Sequence, residues 1–181
     1  MGTEEQTMSL AAEHLPADTE LTEEDLRLIR KYSKRFVGAY SHSLDTKGRL
    51  VVPQPFRDGL GSAFTIAPSQ DFKAVCLYSD LEWARLRDRY EQMSANSKVR
   101  KFLVMFDAFS YHGQEFDAQG RILIPNRIRK QILGEEKDME ITGAGCAVRI
   151  TATSVSDSLM ADFLSSLDDI EAEMDSLSRE P

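Results

Sequence analysis

The sequence predicts an α+β fold built from two tandem β/α repeats, and two observations support this prediction. A ten-residue phrase at 44–53 recurs 72 residues later at 116–125, with Asp, Gly, Arg and Pro at the same places. Short apolar stretches flank each copy, and apolar residues at helical spacing fill the chain between the copies. A turn motif repeated at this period is typical of two similar supersecondary units in one chain.

The composition is that of a globular protein with acidic ends. Hydrophobic residues make up 41% of 181 residues, and no apolar run approaches the roughly 18 residues that span a bilayer. Residues 1–35 hold 5 basic and 8 acidic residues, residues 151–181 hold 1 and 8, and residues 36–150 hold 16 and 14. The net charges are therefore −3, −7 and +2, so the middle must bind any anion through a few well-placed cations. We expect a cytoplasmic protein without a membrane partner.

Residues 1–35 are expected to form an acidic N-terminal extension. Residues 1–20 carry few bulky apolar groups, which is typical of disorder. Thr22 precedes three carboxylates, Glu23, Glu24 and Asp25, and this pattern predicts a short helix near 22–35 with Thr22 as its N-cap.

The first repeat, residues 36–95, is predicted to begin with a hairpin whose tip is formed by residues 45–48. Asp45 favours the first turn position because its carboxylate can accept from nearby backbone N–H groups. Gly48 supplies the left-handed backbone that a tight return often needs. We therefore assign Asp45 and Gly48 structural roles at the tip, and expect Arg49 to be exposed there.

A linking helix at 96–107 leads to the second repeat, residues 108–165. Asp117 and Gly120 take the same structural roles in its hairpin tip. An arginine also follows each tip at the same distance, Arg57 in the first repeat and Arg129 in the second. A C-terminal helix over about 155–174 and an acidic tail at 166–181 complete the chain.

The arginine directly after each tip is the candidate binding group. A turn needs Asp and Gly but not the arginine that follows, so its presence twice, as Arg49 and Arg121, suggests recognition of a ligand. The planar donor fork of a guanidinium matches phosphate oxygens and guanine edges. Lys47 adds a cation to the first tip, where Gln119 stands in the second, so the first tip is expected to bind more tightly.

Catalysis, metal binding and cofactor binding are not indicated. The repeated aspartates are explained by turn chemistry, and no His, Cys or Ser matches between the repeats. The three histidines, His14, His42 and His112, are scattered along the chain, which does not suggest a metal site. No glycine-rich phosphate loop is present. We therefore expect neither an enzyme nor a small-molecule substrate.

The two Asp-x-x-Gly-Arg phrases in a tandem β/α repeat resemble the MraZ family of bacterial transcription regulators over about residues 36–165. The resemblance implies an AbrB-like swapped-hairpin barrel with two pseudo-symmetric halves and a ring-like homo-oligomer. It implies binding to repeated boxes in double-stranded DNA, upstream of the division and cell wall gene cluster, usually as a nucleoid-associated repressor. By residue, it implies that Arg49 and Arg121 contact DNA with Lys47 in support.

A protein-interaction module is the alternative. The C-terminal helix pattern is amphipathic, with apolar residues on one side and Asp, Glu and Ser on the other. An AbrB-like antitoxin that grips a partner through this acidic helix would have the same pattern. The duplicated arginine tips favour DNA instead.

Overall fold

The computed structural model describes residues 22–178, and its contacts divide the chain into two units, residues 1–35 and 36–181. The segment expected to be disordered, residues 1–20, lies outside the described residues, as do the last three residues of the predicted acidic tail. None of the helices between residues 22 and 178 is long and apolar enough to cross a membrane.

The described part of the first unit contains the helix α1 (Glu23–Tyr32). Thr22 is its N-cap residue. The Thr22 hydroxyl accepts from the N–H of Asp25 at 3.2 Å, and the Asp25 carboxylate accepts from the N–H of Thr22 at 2.9 Å. These bonds satisfy two backbone donors that the helix itself leaves unpaired, which explains why the helix begins here.

The second unit combines strands and helices, which confirms the predicted α+β class. The strands are β1 (Ala39–Ser43), β2 (Arg49–Val51), β3 (Ala63–Pro68), β4 (Val75–Ser79), β5 (Tyr111–Glu115), β6 (Arg121–Leu123), β7 (Asp138–Gly143) and β8 (Val148–Ala152). The helices are α2 (Gln54–Leu60), α3 (Asp80–Gln92), α4 (Ser97–Ala108), α5 (Asn126–Ile128, continued by a π-helical turn, Arg129–Leu133), α6 (Thr153–Ser165) and α7 (Leu167–Leu177).

The strands beside each turn pair with the other repeat instead of with each other. β1 pairs with β7, β2 pairs with β6, and β5 pairs with β3, all antiparallel. The prediction that each turn joins a simple local hairpin is therefore wrong. An isolated hairpin with a three-residue strand is marginal at best, whereas pairing β2 with β6 buries Leu50 and Ile122 in one shared core.

Six of the strands form an open sheet in the order β1-β7-β8-β4-β3-β5, and β2 and β6 form a separate two-stranded ribbon. β1 and β5 are the edges of the larger sheet, so the described strands do not close into the barrel that the resemblance implied. The main core is made by both repeats together. Its fully buried members include Leu50, Phe56, Phe64, Ile66, Ile122, Ile124, Ile128 and Ile141.

The helices α3 and α4 pack over a second hydrophobic cluster. The ring of Trp83 on α3 stacks on Phe106 of α4 with centroids 5.6 Å apart. Ser79 caps α3 by accepting from the N–H of Glu82, and Asn96 caps α4 by accepting from the N–H of Lys98. Both helices therefore begin at residues whose side chains satisfy orphan backbone donors.

The helix that follows each turn is one residue longer in the second repeat than in the first. In the first repeat, Gly61 donates its N–H to the carbonyl of Arg57, four residues earlier. In the second, Gly134 donates to Arg129, five residues earlier. A π-helical turn accommodates the extra residue, as π-bulges do elsewhere, and Leu133 is still buried.

The C-terminal region departs from the prediction of one helix followed by an acidic tail. Two helices form, α6 and α7, and the segment expected as a tail is helical as far as Leu177. The break falls at Ser166, whose hydroxyl donates to the carbonyls of Asp162 and Phe163. Such side-chain bonds to carbonyls of the preceding turn compete with helix continuation.

Candidate nucleic-acid interface

The first turn is organised by the carboxylate of Asp45. Its Oδ1 accepts from the N–H groups of Lys47 and Arg49 at 2.8 and 2.9 Å. The backbone closes the turn, because Gly48 donates to the Asp45 carbonyl at 3.0 Å and Asp45 donates to the Arg49 carbonyl at 2.9 Å. Gly48 has a φ of 77°, a left-handed conformation that glycine adopts without steric cost.

The second turn reproduces this geometry. Oδ1 of Asp117 accepts from the N–H groups of Gln119 and Arg121, both at 2.9 Å. Gly120 has a φ of 72° and donates to the Asp117 carbonyl at 2.9 Å. The repeated sequence phrase is therefore a repeated local structure, and Asp and Gly have the structural roles that turn chemistry requires.

The arginine after each turn is held by the aspartate of the same turn. Arg49 donates from Nε to Oδ2 of Asp45 at 2.7 Å, and Arg121 donates from Nε to Oδ2 of Asp117 at 2.7 Å. Their side chains are 32% and 23% exposed. The expectation that Arg49 is exposed at a tip is therefore wrong, since Arg49 is the half-buried first residue of β2.

This ion pair orients the guanidinium and leaves part of it free to bind. In Arg49 the hydrogen bond to Asp45 uses Nε, and neither Nη nitrogen donates a hydrogen bond to any of residues 22–178. A guanidinium fixed through one edge keeps its rigid donor fork for a phosphate or for the acceptor edge of a base.

The ribbon brings both arginines onto one face. Leu50 pairs with Ile122 at its centre, and both side chains are buried. Because successive side chains of a strand alternate between faces, Arg49 and Arg121 lie on the opposite face. They occupy diagonal positions across the two strands, and the Cα atoms of such a diagonal pair are about 7–8 Å apart.

Each turn is braced by the other repeat. The carbonyl of Gly48 accepts from the N–H of Ile124 at 3.3 Å, and the carbonyl of Gly120 accepts from the N–H of Val52 at 3.0 Å. These bonds extend the ribbon by one residue on each side. The two turns are therefore fixed in position relative to each other.

Arg57 and Arg129 also connect the two repeats at the turns. A Cβ placed on Gly48 would lie 3.2 Å from Nε of Arg129, and one placed on Gly120 would overlap the guanidinium of Arg57. Each arginine thus packs on the turn of the opposite repeat. The Nε of Arg57 is buried without a hydrogen-bond partner within residues 22–178. The sequence showed that these arginines recur, but not that they belong to the site.

The resulting site is cationic. We define the cationic cluster as Lys47, Arg49, Arg57, Arg121 and Arg129. Against these five cations stand the two carboxylates of the turns, which leaves a formal surplus of three positive charges. Lys47 is exposed in the first turn, and the uncharged Gln119 is exposed at the equivalent position. The arrangement is suited to binding a polyanion with oriented acceptor groups.

The turn carboxylates are strongly acidic. The pKa of Asp45 is lowered to about 2 by hydrogen bonds from the backbone and side chain of Arg49. The pKa of Asp117 is lowered to about 2, first by the side chain and then by the backbone of Arg121. Both groups therefore stay ionised, and both ion pairs persist, well below neutral pH.

The free energy of unfolding should fall as the pH decreases from about 5 to 2. A carboxylate whose folded pKa lies below its unfolded value of about 3.8 stabilises the folded state above that value, and this contribution disappears as the pH falls to the folded pKa. Urea unfolding at several pH values, for the wild type and for a double variant with Asp45→Asn and Asp117→Asn, tests this. The free energy of unfolding of the double variant should depend less on pH than that of the wild type. An equal pH dependence would contradict the lowered pKa of Asp45 and Asp117.

The comparisons with known proteins agree on one family. The model of the MraZ protein family, described as antitoxin-like, matches residues 35–105. The protein named transcriptional regulator MraZ from Acetivibrio thermocellus is 36% identical over 140 residues, which cover 77% of this chain and 96% of that relative. The protein of the same name from Heliobacterium modesticaldum is 38% identical over 117 residues, which cover 64% of this chain and 79% of the relative.

Proposed function

This chain belongs to the MraZ family of transcriptional regulators, and from that premise we propose that it binds double-stranded DNA through Lys47, Arg49 and Arg121. The observation that supports this most directly is the pair of equivalent turns, each with an arginine held by its own aspartate on one face of a ribbon. A two-stranded ribbon is one of the elements that the major groove of B-form DNA admits.

The two kinds of cation have different roles in this proposal. Arg49 and Arg121 are pre-oriented by carboxylates, so they present fixed donors to guanine edges or to phosphates. Lys47 is exposed and its side chain forms no ion pair within residues 22–178, so it neutralises backbone phosphate near the first turn. The first turn should therefore contribute more affinity than the second.

Self-association is part of the proposal. The cationic cluster of one chain has a formal surplus of only three positive charges, so it neutralises few phosphates, and non-specific affinity grows with the number neutralised. A ring-like homo-oligomer of AbrB-like swapped-hairpin units would place several turns along one duplex and raise the effective concentration of each. Repeated DNA boxes would then be bound more tightly than single ones. Such a regulator would be cytoplasmic and nucleoid-associated, and would need neither cofactor nor catalysis.

We further infer the role of a repressor of the division and cell wall gene cluster, including its own promoter. Footprinting and gel-shift measurements on the DNA upstream of the protein's own gene test this directly. We expect protection of repeated boxes. We also expect the logarithm of the binding constant to fall with the logarithm of the salt concentration with a slope of about −3 to −5 per bound chain, in line with the cations of the cluster. Affinity no higher than for random duplex of equal length would contradict the proposal.

A second candidate function is a protein–protein contact made by the C-terminal helices. Large apolar side chains on α6 and α7 are exposed, including Met160, Phe163, Leu164 and Met174. Aspartates and glutamates lie among the apolar residues of α7. An antitoxin-like partner contact would use this surface. Capture of one defined partner by the full chain in DNase-treated extract, lost on deletion of residues 167–181, would favour it.

A further inference from the structure

We propose that Val51 and Leu123 read thymine methyl groups in the major groove, and so determine part of the DNA sequence preference. This inference rests on the proposed DNA-binding function. It concerns the two apolar side chains on the same ribbon face as Arg49 and Arg121.

The register of the ribbon places these side chains beside the arginines. Arg49 lies directly opposite Leu123, and Val51 lies directly opposite Arg121. All four side chains are on the face opposite the buried pair at the ribbon centre. The face is therefore a two-by-two pattern in which each arginine has an aliphatic neighbour across the strands, with Cβ atoms about 5 Å apart.

The exposure of these two side chains calls for an explanation. Val51 is 38% exposed and Leu123 is 57% exposed. A single aliphatic side chain on a protein surface is ordinary. Here two occupy equivalent positions of the repeats, 72 residues apart, where alternation along a half-buried strand would favour polar residues.

A base pair offers one apolar group in the major groove, the C5 methyl of thymine. An aliphatic side chain that contacts it removes apolar surface from water and makes no demand on hydrogen bonding. The neighbouring guanidinium can meanwhile donate to a guanine. Each cross-strand pair is thus suited to a guanine and a thymine in adjacent base pairs.

The pseudo-two-fold relation of the ribbon extends this to the whole site. The pair Arg49 with Leu123 and the pair Arg121 with Val51 are related by the exchange of the two strands. Because a protein dyad is matched by an approximate dyad in its DNA site, the two guanine–thymine steps should be inverted relative to each other. Leu123 is longer and more exposed than Val51, so its thymine should matter more.

Replacement of thymine by uracil in the upstream DNA tests the inference, because uracil lacks only the methyl group. Each box is synthesised with single thymine-to-uracil changes, and the affinity of the full chain is measured. We expect one or two positions per box at which uracil weakens binding about three- to five-fold, the factor for burying one methyl group. The Leu123→Ala variant should bind the unmodified box more weakly and lose the effect of uracil at one of these positions.

Matched controls separate the possible outcomes. Leu81→Ala removes a similarly exposed leucine from α3 and should leave both the affinity and the uracil effect unchanged. Size-exclusion chromatography and circular dichroism of each variant report oligomer size and folding. The Val51→Ala variant is an independent second test at the equivalent position.

Equal binding of thymine and uracil boxes by the wild type would overturn the inference and leave the proposed DNA-binding function intact. Full uracil sensitivity in both Leu123→Ala and Val51→Ala would also overturn it. A change of oligomer size in Leu123→Ala without any change in uracil sensitivity would assign this face to a second copy of the chain instead. Failure of the wild type to bind any upstream DNA would refute the proposed function itself.

Discussion

Arg49→Ala should lower the affinity for the upstream DNA by about 10- to 100-fold, since a well-oriented arginine contributes about 1–3 kcal/mol of base or phosphate recognition. The Arg49→Ala variant should still fold. The backbone bonds from Lys47 and Arg49 to Asp45 do not need the arginine side chain. The lost ion pair is partly exposed, and the contribution of such pairs to the free energy of unfolding is small. Gel-shift titration at fixed salt measures the affinity, and urea unfolding measures the stability.

Two further variants make this prediction specific. Arg121→Ala removes the equivalent group from the turn that lacks a lysine and should weaken binding less than Arg49→Ala. Arg85→Ala removes an arginine paired with Glu82 on α3, outside the ribbon, and should change binding little. Similar losses for Arg85→Ala and Arg49→Ala would show that only the net charge matters. Unchanged affinity in Arg49→Ala would refute the assignment of this turn to DNA.

Gly120→Ala should lower the free energy of unfolding by about 2–3 kcal/mol, more than Gly48→Ala, for which we expect about 1–2 kcal/mol. Both glycines have left-handed backbone, which costs an alanine roughly 1–2 kcal/mol. The difference comes from the opposite repeat. The new methyl group at position 120 would overlap the guanidinium of Arg57, whose Nε is buried, so this side chain would have to leave its packed position. At position 48 the methyl group would make only a tight contact with Arg129.

A double-variant cycle isolates the role of Arg57. If the overlap causes the extra loss, Arg57→Ala should relieve about 1 kcal/mol of it in the Gly120→Ala background, because residues in contact give non-additive effects. The measurement is urea unfolding at one protein concentration, since the stability of an oligomer depends on concentration. Strict additivity of Gly120→Ala and Arg57→Ala, or equal losses for the two glycines, would contradict the packing of Arg57 on the second turn.

The turns illustrate what could be predicted from sequence. Asp45 and Gly48 are three residues apart, and all the hydrogen bonds that define the turn lie within residues 45–49. Such interactions depend little on the rest of the chain, which is why turn chemistry can be inferred from the sequence in both repeats. The start of α1 at Thr22 has the same local origin.

The strand partners could not be predicted in the same way. β2 has three residues, and nothing within it distinguishes a local hairpin from pairing with β6. The choice depends on burying Leu50 with Ile122, which are 72 residues apart. The half-buried position of Arg49 follows from this pairing, so its predicted exposure was wrong.

By itself, the sequence determined the α+β class, the two repeats, and the chemistry of each turn with its following arginine, because these arise from contacts between near neighbours in the chain. Only the tertiary structure decided that the turns share one ribbon, that Arg57 and Arg129 pack on the opposite turns, and that Val51 and Leu123 flank the arginines. The physical reason is burial: two repeats that are too small to form separate cores exchange strands to make one, and that exchange assembles the cationic face.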